Sequence, residues 1–144
     1  MRFREQIEVP RPLPEAFAYV AEFSNAERWD PGIAESRKVG DASVGTGTRF
    51  DVVALFRGKR IPFRYEVTAF EENRRLVLEG EGDNALSTDE IAFEAAGDGT
   101  RITYEADLRM KGLYRAAEPF LRGTMAEMGR KALAGLQAEL GRGS

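Results

Sequence analysis

The 144-residue chain has no cysteine and no histidine, and only one tryptophan. Without cysteine it can form no disulfide, no thiolate metal site and no thiol nucleophile, and it suits a reducing compartment. Without histidine it loses the commonest general base, the commonest metal ligand and every Ser-His or His-metal arrangement. Acid–base chemistry is left to carboxylates and tyrosines, and no metal or nucleotide cofactor is expected. A long apolar run is missing too: MRFREQIEVP scatters charges where a signal peptide or membrane span needs continuous hydrophobicity, so the sequence predicts a cytoplasmic protein without stable membrane insertion. Twenty-one basic and 24 acidic side chains give a net charge of −3, and both signs are interspersed. That pattern speaks against a nucleic-acid partner, which calls for a basic patch or stripe.

What is present falls into periodic segments. RFREQIEV alternates, with Phe3, Ile7 and Val9 on one face and Arg2, Arg4, Gln6 and Glu8 on the other, which predicts a strand with one wet face. PRPLPEAFAYVAEF changes to helical spacing, with Pro12 and Pro14 suited to a helix start. Ser24 and Glu27 have capping-box spacing, predicting a second short helix that stops before Pro31 with Trp29 in or just past its last turn. Residues 34 to 110 then read as an antiparallel meander, with strands near 34–39, 47–56, 59–70, 75–81, 86–95 and 100–110. Of the intervening turns, Asp98-Gly99 is the strongest type I′ signal. In the last segment Leu113, Ala117, Phe120, Leu121, Met125, Met128, Leu133, Leu136 and Leu140 form an amphipathic stripe, and Pro119 places the main helix start near Glu118. One domain over 1–141 with a disordered tail at 142–144 is the expected organisation.

This order makes an α+β layout in which a curved sheet buries one face against the C-terminal helix. The order, together with AFAYVAEFSNAERWDPGIAES, VGTGTRF, DGTRITYEADL and EPFLRG…ALAGLQAEL, resembles the SRPBCC or START-like superfamily, and within it the polyketide cyclase/dehydrase-type group. The resemblance implies a helix-grip fold: a seven-stranded curved antiparallel sheet wrapped around a long C-terminal helix, with two short helices between strands 1 and 2, enclosing an elongated apolar cavity. The superfamily includes carriers of lipids and other hydrophobic molecules, aromatic-polyketide cyclases, coenzyme Q-binding proteins and activators of a heat-shock ATPase. Its motifs here are structural, and none names a reaction.

Strand alternation gives the expected inner face. Phe50, Val52, Ala54 and Phe56 form one row, and Ile61, Phe63, Tyr65, Val67 and Ala69 the next. Leu76 and Leu78 follow, then Ser87, Asp89, Ile91 and Phe93, and finally Ile102, Tyr104, Ala106, Leu108 and Met110. The surface is apolar except at Glu5, Tyr65, Ser87, Asp89 and Tyr104. Two unpartnered carboxylates would be costly in a solid core. Either they face a cavity, or Glu5 pairs with an arginine at the sheet rim and Asp89 caps a turn or bonds backbone near its strand end.

The cavity alternative makes Trp29, Phe50, Val52, Phe63, Tyr65, Leu78, Asp89, Ile91 and Tyr104 candidate ligand contacts from the sheet side. Leu121, Met125 and Met128 join them from the helix. Asp89, Glu5 and Tyr104 are the candidate catalytic groups. The methionines and tyrosines read first as ordinary packing residues, and Trp29 reads as either a plug at one end of the sheet or a ring on the cavity rim. Gly45 and Gly47 lack the strand–loop–helix context of a phosphate site, and Arg57, Lys59 and Arg60 read as a solvated hairpin tip.

Binding of a hydrophobic small molecule, be it a lipid, a quinone-like or an aromatic polyketide-like compound, is the leading functional expectation. The alternative is a cyclase or dehydratase working through carboxylate and tyrosine groups. A protein-interaction module comes third, and a homodimer is left open.

Overall fold

The computed structural model describes residues 1–141; the tail expected at 142–144 lies outside the described residues. Seven strands form one antiparallel sheet: β1 (Arg2–Val9), β2 (Ile33–Lys38), β3 (Arg49–Phe56), β4 (Lys59–Glu71), β5 (Arg75–Glu81), β6 (Ala85–Ala96) and β7 (Gly99–Met110). Their spatial order is β1-β7-β6-β5-β4-β3-β2, so β2 to β7 run as a meander and β1 closes onto the far side of β7. The chain crosses between the two edges through α1 (Leu13–Ala21), a 3₁₀ turn at Phe23–Asn25 and α2 (Ala26–Trp29). A second 3₁₀ turn, Gly112–Ala117, leads into α3 (Glu118–Leu140), which lies across the concave face. The seven-stranded helix-grip architecture expected from the sequence is therefore present.

Local chemistry sets these boundaries. Pro12 precedes the first turn of α1 and Pro14 sits within it, where a missing N–H costs nothing. Pro119 occupies the same kind of position in α3, which begins at Glu118 as its sequence predicts. Glu118 also accepts the Met110 N–H at 2.9 Å, tying the helix start to the end of β7. The β3–β4 hairpin turns on Arg57 and Gly58, both with positive φ (51° and 78°), as a type I′ turn requires. The turn expected at Asp98-Gly99 lies one residue earlier: Ala96 pairs with Gly99, and the positive φ is at Gly97. Gly99 is glycine for another reason, since a Cβ there would stand 2.2 Å from the Val9 carbonyl oxygen.

Three further expectations are corrected. Ser24 does not cap a helix: its hydroxyl donates to Glu22 at 2.8 Å, while Glu27 accepts the backbone N–H of Ser36. Ala69 does not continue the inward row of β4, because a register shift between Val67 and Ala69 turns Phe70 inward instead. Phe70 packs edge-on against Phe17 at 5.3 Å, and Phe17 meets Phe93 at 5.0 Å. Leu113 and Phe120 are not on the buried stripe; they are 95% and 83% exposed.

The solid core lies at one end, where α1, the 3₁₀ turn after it and the last turns of α3 cover the sheet through Phe17, Val20, Phe23, Leu133, Leu136 and Leu140. Each fully buried side chain of this kind contributes about 1.5–3 kcal/mol. The first half of α3, residues 118–131, contains no buried residue and bridges open space.

Candidate functional site

That open space is a cavity of about 1110 Å³ between the sheet, α2 and α3. Its walls are mostly apolar: Phe63 and Val52 from the sheet, Leu121, Met125 and Met128 from α3, and Trp29 from α2. Among the residues expected from the sequence, these six line it together with Tyr65, Asp89 and Tyr104.

Four expected contacts do not. Phe50, Leu78 and Ile91 are fully buried in the core, on the inward face but sealed beneath other side chains; Phe50 packs against Phe23 at 5.9 Å. Glu5 shares the inward face of β1 but borders a separate small crevice beside Arg130 and Gln137, under the second half of α3. Alternation gives a side chain's face, but it cannot give the position along the strand at which the helix lifts off.

The polar end of the cavity is assembled across four strands. On β6, the Ser87 hydroxyl donates to Asp89 Oδ1 at 2.7 Å. From β7, the Tyr104 hydroxyl donates to Asp89 Oδ2. On β4, the Tyr65 ring lies over Gly80 of β5, where any Cβ would meet the ring at 2.5 Å. Crossing β5 in this way turns Tyr65 toward Ser87, the β6 partner of Gly80. Gly82, two residues on and facing the same way, makes similar room for Phe63. Asp89 is therefore neither a turn cap nor a backbone ligand: both its oxygens are held by hydroxyls.

Burial pushes the Asp89 carboxyl up, and the Tyr104 and Ser87 hydrogen bonds oppose this by favouring the anion. Burial, reinforced by the charge of Asp89, pushes both Tyr65 and Tyr104 well above the ordinary phenol range, so their hydroxyls stay protonated.

Asp30 is a site residue that the sequence pattern does not mark. In the sequence it reads as a turn former beside Pro31, yet it lines the cavity from the end of α2. Its Oδ1 accepts the Gly32 N–H at 2.7 Å. Burial raises its pKa to about 6, the Gly32 hydrogen bond partly offsets the rise, and the Asp89 charge adds to it. Neither carboxyl has a cationic partner among the described residues. The signal available in the sequence is Asp-Pro-Gly directly after Trp29: an Asx-type bond to Gly32 fixes the carboxylate where the indole already faces inward.

Trp29 combines both expected roles. It is 3% exposed and packs edge-on to Tyr104 at 6.4 Å, yet it also forms cavity wall. Its indole N–H is buried without a hydrogen-bond partner among the described residues. Among those residues, no cluster of three or more acidic, histidine or cysteine side chains could hold a metal ion, and no helix is long and apolar enough to cross a membrane.

The arrangement is an apolar chamber with two tyrosine hydroxyls, a serine hydroxyl and two protonatable carboxyls on its wall. It can bury a hydrophobic body, orient an oxygen and exchange a proton near neutral pH. Residues 1–141 match the model of a family described as polyketide cyclase / dehydrase and lipid transport. The chain belongs to this family. Solved structures similar to this chain share its fold at low identity. TTHA0849 from Thermus thermophilus is 18% identical over 97% of both chains, with a TM-score of 0.82. The ZhuI aromatase/cyclase from Streptomyces sp. R1128 is 8% identical over 99% of this chain and 94% of its own, also at 0.82. A START superfamily protein from Mycobacterium smegmatis is 19% identical over 96% and 98%, at 0.76. No curated protein matches the chain.

Proposed function

We propose that this protein binds a hydrophobic small molecule bearing at least one oxygen function, a lipid, quinone-like or aromatic polyketide-like compound, in the chamber between sheet and α3, as a cytoplasmic carrier. The observation that carries the reading is the pairing of a mostly apolar 1110 Å³ cavity with a buried polar cluster built on Asp89 and Tyr104. Apolar walls supply affinity, and sparse hydrogen bonds fix orientation.

Native mass spectrometry of the purified chain should show a copurifying apolar molecule. Trp29, the only tryptophan, should change its blue-shifted emission when an apolar dye enters. A bare chain mass, with emission indifferent to a panel of apolar dyes, would overturn the reading.

A cyclase or dehydratase is the second reading, favoured by Asp30. A carboxyl raised to about 6 can accept a proton from a carbon acid near neutral pH, while the protonated Tyr65 hydroxyl donates to the developing enolate oxygen. Turnover of an aromatic polyketide-like substrate that disappears in Asp30→Asn, with affinity kept, would support it. Affinity without turnover for every substrate tried would leave the carrier.

A further inference from the structure

The rim of the cavity exposes large apolar side chains. Leu113 is 95%, Phe120 83% and Tyr114 52% exposed, all on the turn that leads into α3 and on its first residues. This segment borders the opening, since its Tyr114, Ala117, Leu121 and Arg122 line the cavity. Across from it, the β3–β4 hairpin tip borders the same cavity through Phe56 and Lys59, and the Arg57 guanidinium lies 5.2 Å from the Phe56 ring centre.

The charge at this rim runs against that of the molecule. The chain carries a net charge of −3, yet Arg57, Lys59, Arg115 and Arg122 stand there without an ion pair among the described residues. The nearby acids are largely engaged: Glu35 with Arg60, Glu81 with Lys111, and Glu118 with the Met110 N–H and the N-terminal ammonium.

We propose that this rim, Leu113, Tyr114 and Phe120 flanked by Arg57, Lys59, Arg115 and Arg122, docks on an anionic phospholipid bilayer, so that the cavity opens directly onto the membrane surface. Leucine, tyrosine and phenylalanine bracketed by arginine and lysine form the composition that settles at a headgroup boundary, the rings entering the acyl edge and the cations meeting phosphate and carboxylate. The geometry places that boundary where Tyr114, Arg122, Phe56 and Lys59 border the cavity. Docking of this kind is peripheral and reversible, and involves no spanning helix. It goes beyond ligand binding and does not depend on which molecule the cavity holds.

The test is co-sedimentation of the full chain with vesicles of phosphatidylcholine alone, or with about one-third phosphatidylserine. Binding should require the anionic lipid and weaken as salt rises from low to physiological concentration. Leu113→Ser/Phe120→Ser and, separately, Arg57→Glu/Arg115→Glu should each lower the partition coefficient about tenfold or more. All four positions are on the surface and none lines the cavity, so unfolding midpoints and dye binding should stay at wild-type values. No binding to the anionic vesicles at low salt would overturn the proposal, as would binding unaltered in both double variants. Dye binding is read separately, so a failure of docking and a failure of the cavity reading remain distinguishable.

Discussion

Asp30 shows how one side chain can tie the site to the stability of the fold. Its carboxyl ionises at about 6 in the folded chain against an ordinary value of 3.8. A raised acid favours the folded state below the unfolded pKa, and that advantage is lost as pH climbs through the folded one, here between about 4 and 6. A shift of this size corresponds to at most about 3 kcal/mol, and relaxation around the ionised carboxyl reduces it to about 1–2 kcal/mol. Asn keeps the Oδ1 acceptor for the Gly32 N–H and removes the charge. Asp30→Asn should therefore be more stable than wild type by about 1–2 kcal/mol at pH 7.5, the difference closing toward pH 4. Urea unfolding of both proteins across that range checks this. A gap of constant size would mean that Asp30 titrates as an ordinary exposed carboxyl.

At the scale of elements, α3 divides into an anchored half and a bridging half. The anchored half packs so closely that a Cβ on Gly135 would stand 1.9 Å from the Trp29 carbonyl oxygen, which is backbone and cannot swing away. Gly123, in the bridging half of the same helix, meets nothing within 4 Å. Helix propensity alone favours Ala at both by up to about 1 kcal/mol. Gly123→Ala should accordingly leave stability equal or raised by several tenths of a kcal/mol, whereas Gly135→Ala should lose about 1–3 kcal/mol by pushing α2 off the helix. Thermal and urea unfolding of the pair separate the two effects, and equal responses would refute the close approach.

The same division explains what the sequence can express. Strand alternation, Pro119 and the Arg57-Gly58 turn are local, so the meander, the α3 start and the inward placement of Asp89 and Tyr104 are legible. Leu113 and Phe120 satisfy helical periodicity and still face solvent, because the stripe continues past the point where the sheet gives it anything to pack on. The exclusion of Glu5 and Phe50 from the cavity, and the inclusion of Asp30, depend on where α2 and α3 meet the sheet. That is a tertiary distance which no periodicity carries.

For the molecule as a whole, the cavity sets the balance between stability and function. A void of about 1110 Å³ is larger than the roughly 300–1000 Å³ of most ligand pockets. Its walls forgo the contacts that a filled core would make, which is why the first half of α3 has no buried residue. Occupancy should restore part of that loss: a ligand at a hundred times its Kd adds about 2.7 kcal/mol, or about 5–10 °C in Tm for a chain of this size. Filling the same space with the chain's own atoms should do part of the work in advance. Ala126 lines the cavity from α3. In a packed core Ala126→Leu would be overpacking and cost about 1–3 kcal/mol, whereas over open space it adds buried apolar carbon to a helix that accepts Leu readily. The unliganded Ala126→Leu protein should therefore melt at or a few degrees above wild type, and its Tm should rise less on addition of an apolar dye. Differential scanning calorimetry with and without the dye reads both quantities, and a lower melting point without dye would mean that side chains already occupy the space from which ligand binding is argued.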